Sequence, residues 1–167
     1  MANVYKGRVF SVEVERMRFP NGREHTVEVV RHPPSVVLLP IPEDGQIVLV
    51  RQYRPSISRE TWEVPAGSVD PGETAEAAAV RECEEEICLV PHRVERILGL
   101  FPAPGFCDEE LIFFRVSDLR PPTSGAPRAR DEDEDILVQP FQIVVAKAMV
   151  ERGTIVDLKT AYALMLL

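Results

Sequence analysis

Alternation of apolar and polar side chains opens the chain. From Arg8 to Met17, Phe10, Val12 and Val14 interleave with Val9, Ser11 and Glu13, the two-residue period of a strand. Pro20-Asn21-Gly22 breaks the run with a turn, and Glu24 to Val30 returns as the second arm of a hairpin. Two apolar runs follow, Val36 to Leu39 and Gln46 to Arg51, separated by the turn residues Pro40 to Gly45. Glu60 to Val64, Val94 to Phe101, Leu111 to Val116 and Ile136 to Phe141 predict further strands. Pro121 to Arg130, rich in Pro, Ser, Gly and Arg, reads as a loop. Ile143 to Arg152 and Asp157 to Leu167 read as helices, the second capped by Asp157. With a central helix after Asp70-Pro71-Gly72, the pattern predicts an α+β fold without internal repeat or clear linker.

That central helix carries the chemistry. Glu73-Thr74 starts a run of alanine and glutamate, both strong helix formers. On a helical wheel Val80, Cys83 and Ile87 form an apolar stripe, and Glu82, Glu85 and Glu86 gather on the other side with Ala75, Ala78 and Ala79. Like charges at these spacings cost about 0.2–0.5 kcal/mol per pair on a bare helix. They also crowd the C-terminal end, where the macrodipole disfavours anions. Such a run is most simply a solvated acidic face. Hard oxygen ligands so arranged are also what Mg²⁺ or Mn²⁺ would relieve.

The spacing favours the second account. Gly67, Glu73, Arg81-Glu82, apolar Cys83, Glu85-Glu86 and apolar Leu89 together resemble the Nudix box, the signature of a family that hydrolyses nucleoside diphosphates linked to another moiety. One position departs. Cys88 stands where the family has a glycine, which normally ends the helix at positive φ. The resemblance implies a Nudix α/β/α sandwich with a mixed sheet over residues 36–167, preceded by an antiparallel β-hairpin region at 1–35. It implies Glu82 and Glu86 as principal metal ligands, with Glu85 as a further or water-mediated one and the Ala66 carbonyl as another. Arg81 would orient the carboxylates, and Glu73 would hold the loop–helix junction.

Flanking segments resemble the ADP-ribose pyrophosphatase branch: Val50 to Pro55, Glu63 to Gly67, and Ala103 to Glu109, with Pro104 beyond the box. The branch implies a general base on an acidic loop, here Asp131 to Ile136, with Glu132 the first choice and Glu134 the second. Relatives there exchange N-terminal strands between subunits and complete each other's adenine pocket, so a homodimer is expected, with Tyr5 and Phe19 near that element. Arg54, and less so Arg51, are candidates to clamp phosphate; strand-edge surface charge is the alternative. Glu109 is a candidate for metal or terminal ribose, or is simply exposed. Phe106 is a candidate contact to ribose or base, or a loop anchor. Trp62 reads as core, and His25, His32 and His92 as surface or turn residues.

Composition bounds these readings. The 167 residues, 45% hydrophobic and 28% charged, suit one substantial core. A net charge of −8 argues against nucleic-acid or anionic-membrane partners. It would also repel an anionic diphosphate, so Mg²⁺, or Mn²⁺ or another divalent ion, and placed arginines are expected to bring in a nucleotide-sugar substrate. Neither a membrane-length apolar run nor a signal peptide is seen. Cys83, Cys88 and Cys107 suggest reduced thiols and a cytoplasmic enzyme. No motif distinguishes adenine from guanine. GDP-mannose, FAD or NADH hydrolysis, or binding without turnover, are the alternatives.

Overall fold

A computed structural model describes residues 2–43, 45–122 and 136–167. In chain order the strands are β1 (Ala2–Lys6), β2 (Ser11–Arg18), β3 (Glu24–Arg31), β4 (Ser35–Pro40), β5 (Gln46–Arg54), β6 (Arg59–Glu63) and β7 (Ala66–Ser68). Helix α1 (Ala75–Ile87) follows, then β8 (Val90–Leu100), β9 (Leu111–Arg120), β10 (Leu137–Gln142), α2 (Ile143–Glu151) and α3 (Leu158–Met165). They form three sheets, ordered β1-β2-β3, β10-β5-β6 and β7-β4-β9-β8. The last is mixed, because β4 runs parallel to β9 and antiparallel to β7.

Strands β4, β5 and β9 are buried on both faces, which is why their sequences are continuous apolar runs rather than alternations. Val36 and Leu38 of β4, Val48 and Val50 of β5, and Ile112 and Phe114 of β9 pack with Ala78, Ala79, Cys83 and Ile87 of α1. The intervening Val37 and Leu39, Ile47 and Leu49, and Leu111 and Phe113 pack with Ala146 of α2 and Ala163 and Leu164 of α3. The period of two therefore divides one set of strands between two helical layers. This is the α/β/α sandwich. Among the described residues no helix is long and apolar enough to cross a membrane.

The N-terminal region differs from a simple hairpin. The expected strand from Arg8 starts at Ser11, because Gly7 N–H donates to the Phe10 carbonyl and turns the chain. Ala2–Lys6 lies antiparallel to β2 as a third strand. Val4, Tyr5, Val9, Phe10, Met17 and Phe19 in and beside this sheet are exposed. The sheet is tied to the rest where Val30 N–H donates to Phe106 O and Asp108 N–H to Val30 O. Arg31 reinforces that tie with a three-way fork to Glu13, Glu15 and Asp108.

Two other elements depart from expectation. Strand β8 begins at Val90, before the expected Val94. It is an edge strand whose His92, Arg93, Glu95 and Arg96 are exposed, so its first half has no apolar period to read. Helix α1 is rotated from the expected wheel. Cys83 and Ile87 are core, but Ala78 and Ala79 join them, Val80 is only half-buried, and Glu82 and Glu86 are themselves buried. The acidic side is turned inward.

Cys88 answers the question raised by the missing glycine. It takes the left-handed conformation itself (φ 58°, ψ 31°), and its N–H caps the helix on the Glu84 carbonyl at 3.0 Å. Leu89 then packs onto the α1 core, the contact usual after such a cap. A side chain in this region costs about 1–2 kcal/mol, partly offset because glycine orders more freedom on folding. Cys88→Gly is therefore expected to raise the melting temperature by about 1–3 °C. Calorimetry checks this, and a lower melting temperature would show that the cysteine side chain contributes more than its strain costs.

Candidate functional site

The segment from Glu63 to Ser68 crosses the molecule between α1 and α3, and side chains from both helices hold it. Val64 N–H donates to Thr160 Oγ1 at 2.9 Å, and Ala66 N–H donates to Glu86 Oε2 at 3.3 Å. At Gly67 the Glu82 carboxylate lies directly on the backbone, so that a β-carbon there would overlap it. Only glycine admits that approach. Glu82 and Glu86, one turn apart on α1, thus meet consecutive residues of the same short strand.

Arg81 organises this junction. Its Nη1 donates to Glu82 Oε1 (2.6 Å) and Glu85 Oε2 (2.9 Å). Nη2 reaches the Ser68 carbonyl (2.8 Å) and Glu73 Oε2 (3.0 Å), and Nε reaches Glu73 Oε1 (3.1 Å). Glu73 also accepts from Asp70 N–H, closing the turn before α1. Its hydrogen bonds to Glu73, then to Glu82 and Glu85, raise the guanidinium well above its ordinary range against the opposing effect of burial. The repulsion expected between Glu82 and Glu85 is therefore relieved at least partly within the chain, by Arg81. Cys83, on the core side, is pushed up to about 12 by burial and by Glu86 and Glu84, and stays a thiol.

A cleft of about 360 Å³ opens over Ala66, Gly67 and Ser68. On one wall Arg54 makes a double hydrogen bond to Glu63 through Nε (2.8 Å) and Nη2 (2.6 Å). Glu63 also accepts from Lys159, whose ammonium lies 3.0 Å from Asp157 Oδ2. Asp157 caps α3 through Thr160 N–H, as expected. Glu109 also lines the cleft; it accepts from Ser35 Oγ (2.8 Å) and lies 3.5 Å from His32 Nδ1.

Of the residues singled out in the sequence, Ala66, Arg54 and Glu109 line this cleft, with Glu82 and Glu86 against its floor. Arg51 does not line it. Its guanidinium is 5.8 Å from the Trp62 ring and 3.8 Å from Glu60. Phe106 is 61% exposed and outside the cleft, its backbone rather than its ring anchoring the loop to Val30. Glu132 and Glu134 lie outside the described residues. His32, expected as a surface or turn residue, lines the cleft with its side chain largely covered, and sequence reasoning gave no role to Glu63, Lys159 and Thr160. Lys159 alone left a trace, since a cation in a helix's first turn opposes the macrodipole and calls for a local anion.

Among the described residues no three acidic, histidine or cysteine side chains already converge as an ion cage. The donor chemistry nevertheless fits a hard divalent cation: carboxylates of Glu82 and Glu86 lie beside the Ala66–Gly67 backbone, which itself lines the cleft.

Comparison with known proteins agrees with this architecture. A sequence model of the NUDIX domain matches residues 31–157. The chain is 34% identical to the ADP-ribose pyrophosphatase of Bacillus subtilis (strain 168) over 163 residues, covering 96% of this chain and 86% of that protein. It is also 34% identical to the ADP-ribose pyrophosphatase of Mycobacterium tuberculosis (strain ATCC 25618 / H37Rv) over 155 residues, covering 92% and 74%. A methanol dehydrogenase activator of Bacillus methanolicus is 32% identical over 162 residues, covering 96% and 85%. The crystal structure of an ADP compounds hydrolase superposes with a TM-score of 0.83 at 24% identity, covering 99% of this chain and 88% of the other. At that identity the likeness concerns the fold.

The Glu63 wall makes a prediction of its own. Burial pushes this carboxyl up, but the Arg54 fork and Lys159 outweigh it and hold it below its ordinary 4.5. A group with a depressed folded pKa stabilises the fold above its unfolded value and loses that contribution as pH falls through the folded one. Glu63→Gln should thus cost about 2 kcal/mol at pH 7 and flatten the fall in melting temperature below pH 4.5. Thermal melts across the acid range check it. A variant with the parent's neutral stability and unchanged acid slope would rule the role out.

Proposed function

The chain belongs to the NUDIX family as a pyrophosphohydrolase, and on that premise we propose that it cleaves a nucleoside diphosphate sugar with the help of a divalent cation. ADP-ribose, giving AMP and ribose 5-phosphate, is the leading substrate. The observation that carries this is the inward-turned acidic face of α1. Two buried carboxylates, Glu82 and Glu86, are brought to the backbone at Gly67 and Ala66, under a cleft whose side wall presents Arg54. The relatives named as ADP-ribose pyrophosphatases support the choice of substrate.

Glu82, Glu86 and the Ala66 carbonyl would hold the cation, Mg²⁺ first and Mn²⁺ or another divalent ion next, with Glu85 as a further ligand. Such an ion neutralises diphosphate charge and acidifies a water. The protein's own contribution is placement. Arg81 ties Glu82 and Glu85 together and fastens α1 to Ser68, so the carboxylates are held against the strand backbone that lines the cleft. Arg54, with Nε and Nη2 on Glu63, offers its remaining nitrogen to phosphate. Glu109, in the lining of the same cleft, would accept from sugar hydroxyls. Proton removal from the water is assigned to a loop carboxylate, Glu132 before Glu134.

We further read residues 1–35 as a dimerisation element of a cytoplasmic homodimer, on the strength of the exposed apolar side chains of the N-terminal sheet. The methanol dehydrogenase activator among the relatives favours keeping one second reading, a regulatory protein that binds a nucleotide without turning it over.

A panel of nucleotide sugars and dinucleotides with Mg²⁺, read as phosphate released after phosphatase coupling, separates these readings. ADP-ribose is expected to give the highest kcat/KM, and a chelator to abolish release. No release from any compound would favour the binding protein. Because loss of an outer-shell partner alone costs about 10–100-fold, Glu86→Gln should lower turnover by about 100-fold or more. A variant within a few-fold of the parent would remove Glu86 from the ligand set. Sedimentation equilibrium is expected to give twice the chain mass, and a monomer would refute the dimer.

A further inference from the structure

Besides Arg54, Lys159 is the permanently charged cation that lines the cleft among the described residues, and the reading above leaves it without a task. Its side chain is only 14% exposed, and its ammonium is shared between Glu63 and Asp157. Glu63, at 1% exposure, therefore serves two cations at once, Arg54 through both oxygens and Lys159 through Oε2. Arg54, 40% exposed at its side chain, gives Nε and Nη2 to Glu63. Among the described residues its Nη1 has no partner.

Three facts argue against Lys159 being only a staple for α3. The helix is already fastened by Thr160, whose Oγ1 receives Val64 N–H, and by the Asp157 cap. A lysine in the first helical turn is unfavourable in the macrodipole, so its place there is a cost that something else offsets. The wall it completes, Arg54 and Lys159 against Glu63 and Asp157, is neutral as built and would carry a net negative charge without it, facing the space assigned to an anion.

We propose that Lys159 is a positioning residue for diphosphate binding. By taking part of Glu63's charge it loosens Glu63's hold on Arg54, so that the Arg54 guanidinium can turn Nη1 toward a substrate phosphate, and it keeps the wall from repelling that phosphate. This rests on the reading of the cleft as a diphosphate site. Its signature is a loss of ground-state affinity rather than of the chemical step.

The test compares the parent, Lys159→Met and Lys159→Arg as full chains, with Mg²⁺ and the nucleotide sugar the parent hydrolyses fastest. Lys159→Met is expected to raise KM by about 10-fold with kcat within about 2-fold of the parent. Raising the salt concentration should narrow that gap by screening the uncompensated carboxylates. Lys159→Arg should restore KM. Calorimetric titration of inorganic pyrophosphate with Mg²⁺ gives a readout independent of turnover, and the methionine variant should bind it about 10-fold more weakly. Unchanged KM and unchanged pyrophosphate affinity in Lys159→Met overturn the proposal. So does a loss of kcat together with melting temperature that arginine fails to rescue, since that would mark a staple. A parent silent on every nucleotide sugar, with pyrophosphate affinity still dependent on Lys159, refutes the substrate reading and supports this one.

Discussion

Arg81 is the constraint on which the site depends, because it lets carboxylates that repel one another share a buried helix face. A helix with glutamates at 82, 85 and 86 would turn that face to water if nothing compensated it. Arg81 offers nitrogens to Glu73, Glu82, Glu85 and the Ser68 carbonyl, linking the turn before α1, the helix and strand β7. Gly67 completes the arrangement by having no β-carbon where the Glu82 carboxylate lies. Acidic residues can therefore be carried inward against strand backbone, where dielectric screening is weaker and their charge acts more strongly on a cation or a phosphate.

The rest of the fold serves as a frame for that inward face. Because β4, β5 and β9 divide their side chains between two helical layers, α1 and α3 are held on opposite sides of one set of strands. The Glu63–Ser68 segment runs between them and donates a hydrogen bond to each, to Glu86 on one side and Thr160 on the other. The cleft is thus walled by residues remote in sequence and set by a core that has little freedom to shift.

Much of this was legible in the sequence, and the remainder was hidden for physical reasons. The paired strands, the Asp157 cap and the box helix followed from period and capping residues. The rotation of α1 did not, because a wheel scores glutamate as outward and cannot see that Arg81 and Gly67 make an inward glutamate tolerable. Cys88 looked like a break in the pattern, yet the backbone keeps its left-handed cap and accepts the strain instead. Strand β7 and the residues Glu63, Lys159 and Thr160 left little trace, since β7 is only Ala66–Ser68 and the other three act through contacts across long sequence separations. Arg54 and, less so, Arg51 were both candidates on paper. Pairing of β5 with β6 puts Arg51 opposite Trp62 and Arg54 opposite Arg59, and only Arg54 reaches the cleft.

The fork of Arg31 has a mechanical corollary. It joins Glu13 and Glu15 on one strand to Asp108, the immediate neighbour of Glu109, while His32 N–H grips the same Asp108 at 2.9 Å. The outlying sheet and the loop that carries Glu109 are consequently joined at one seam, made by Arg31, the His32 N–H and the backbone of Val30. A displacement of that sheet would have to break those bonds or carry the loop with it.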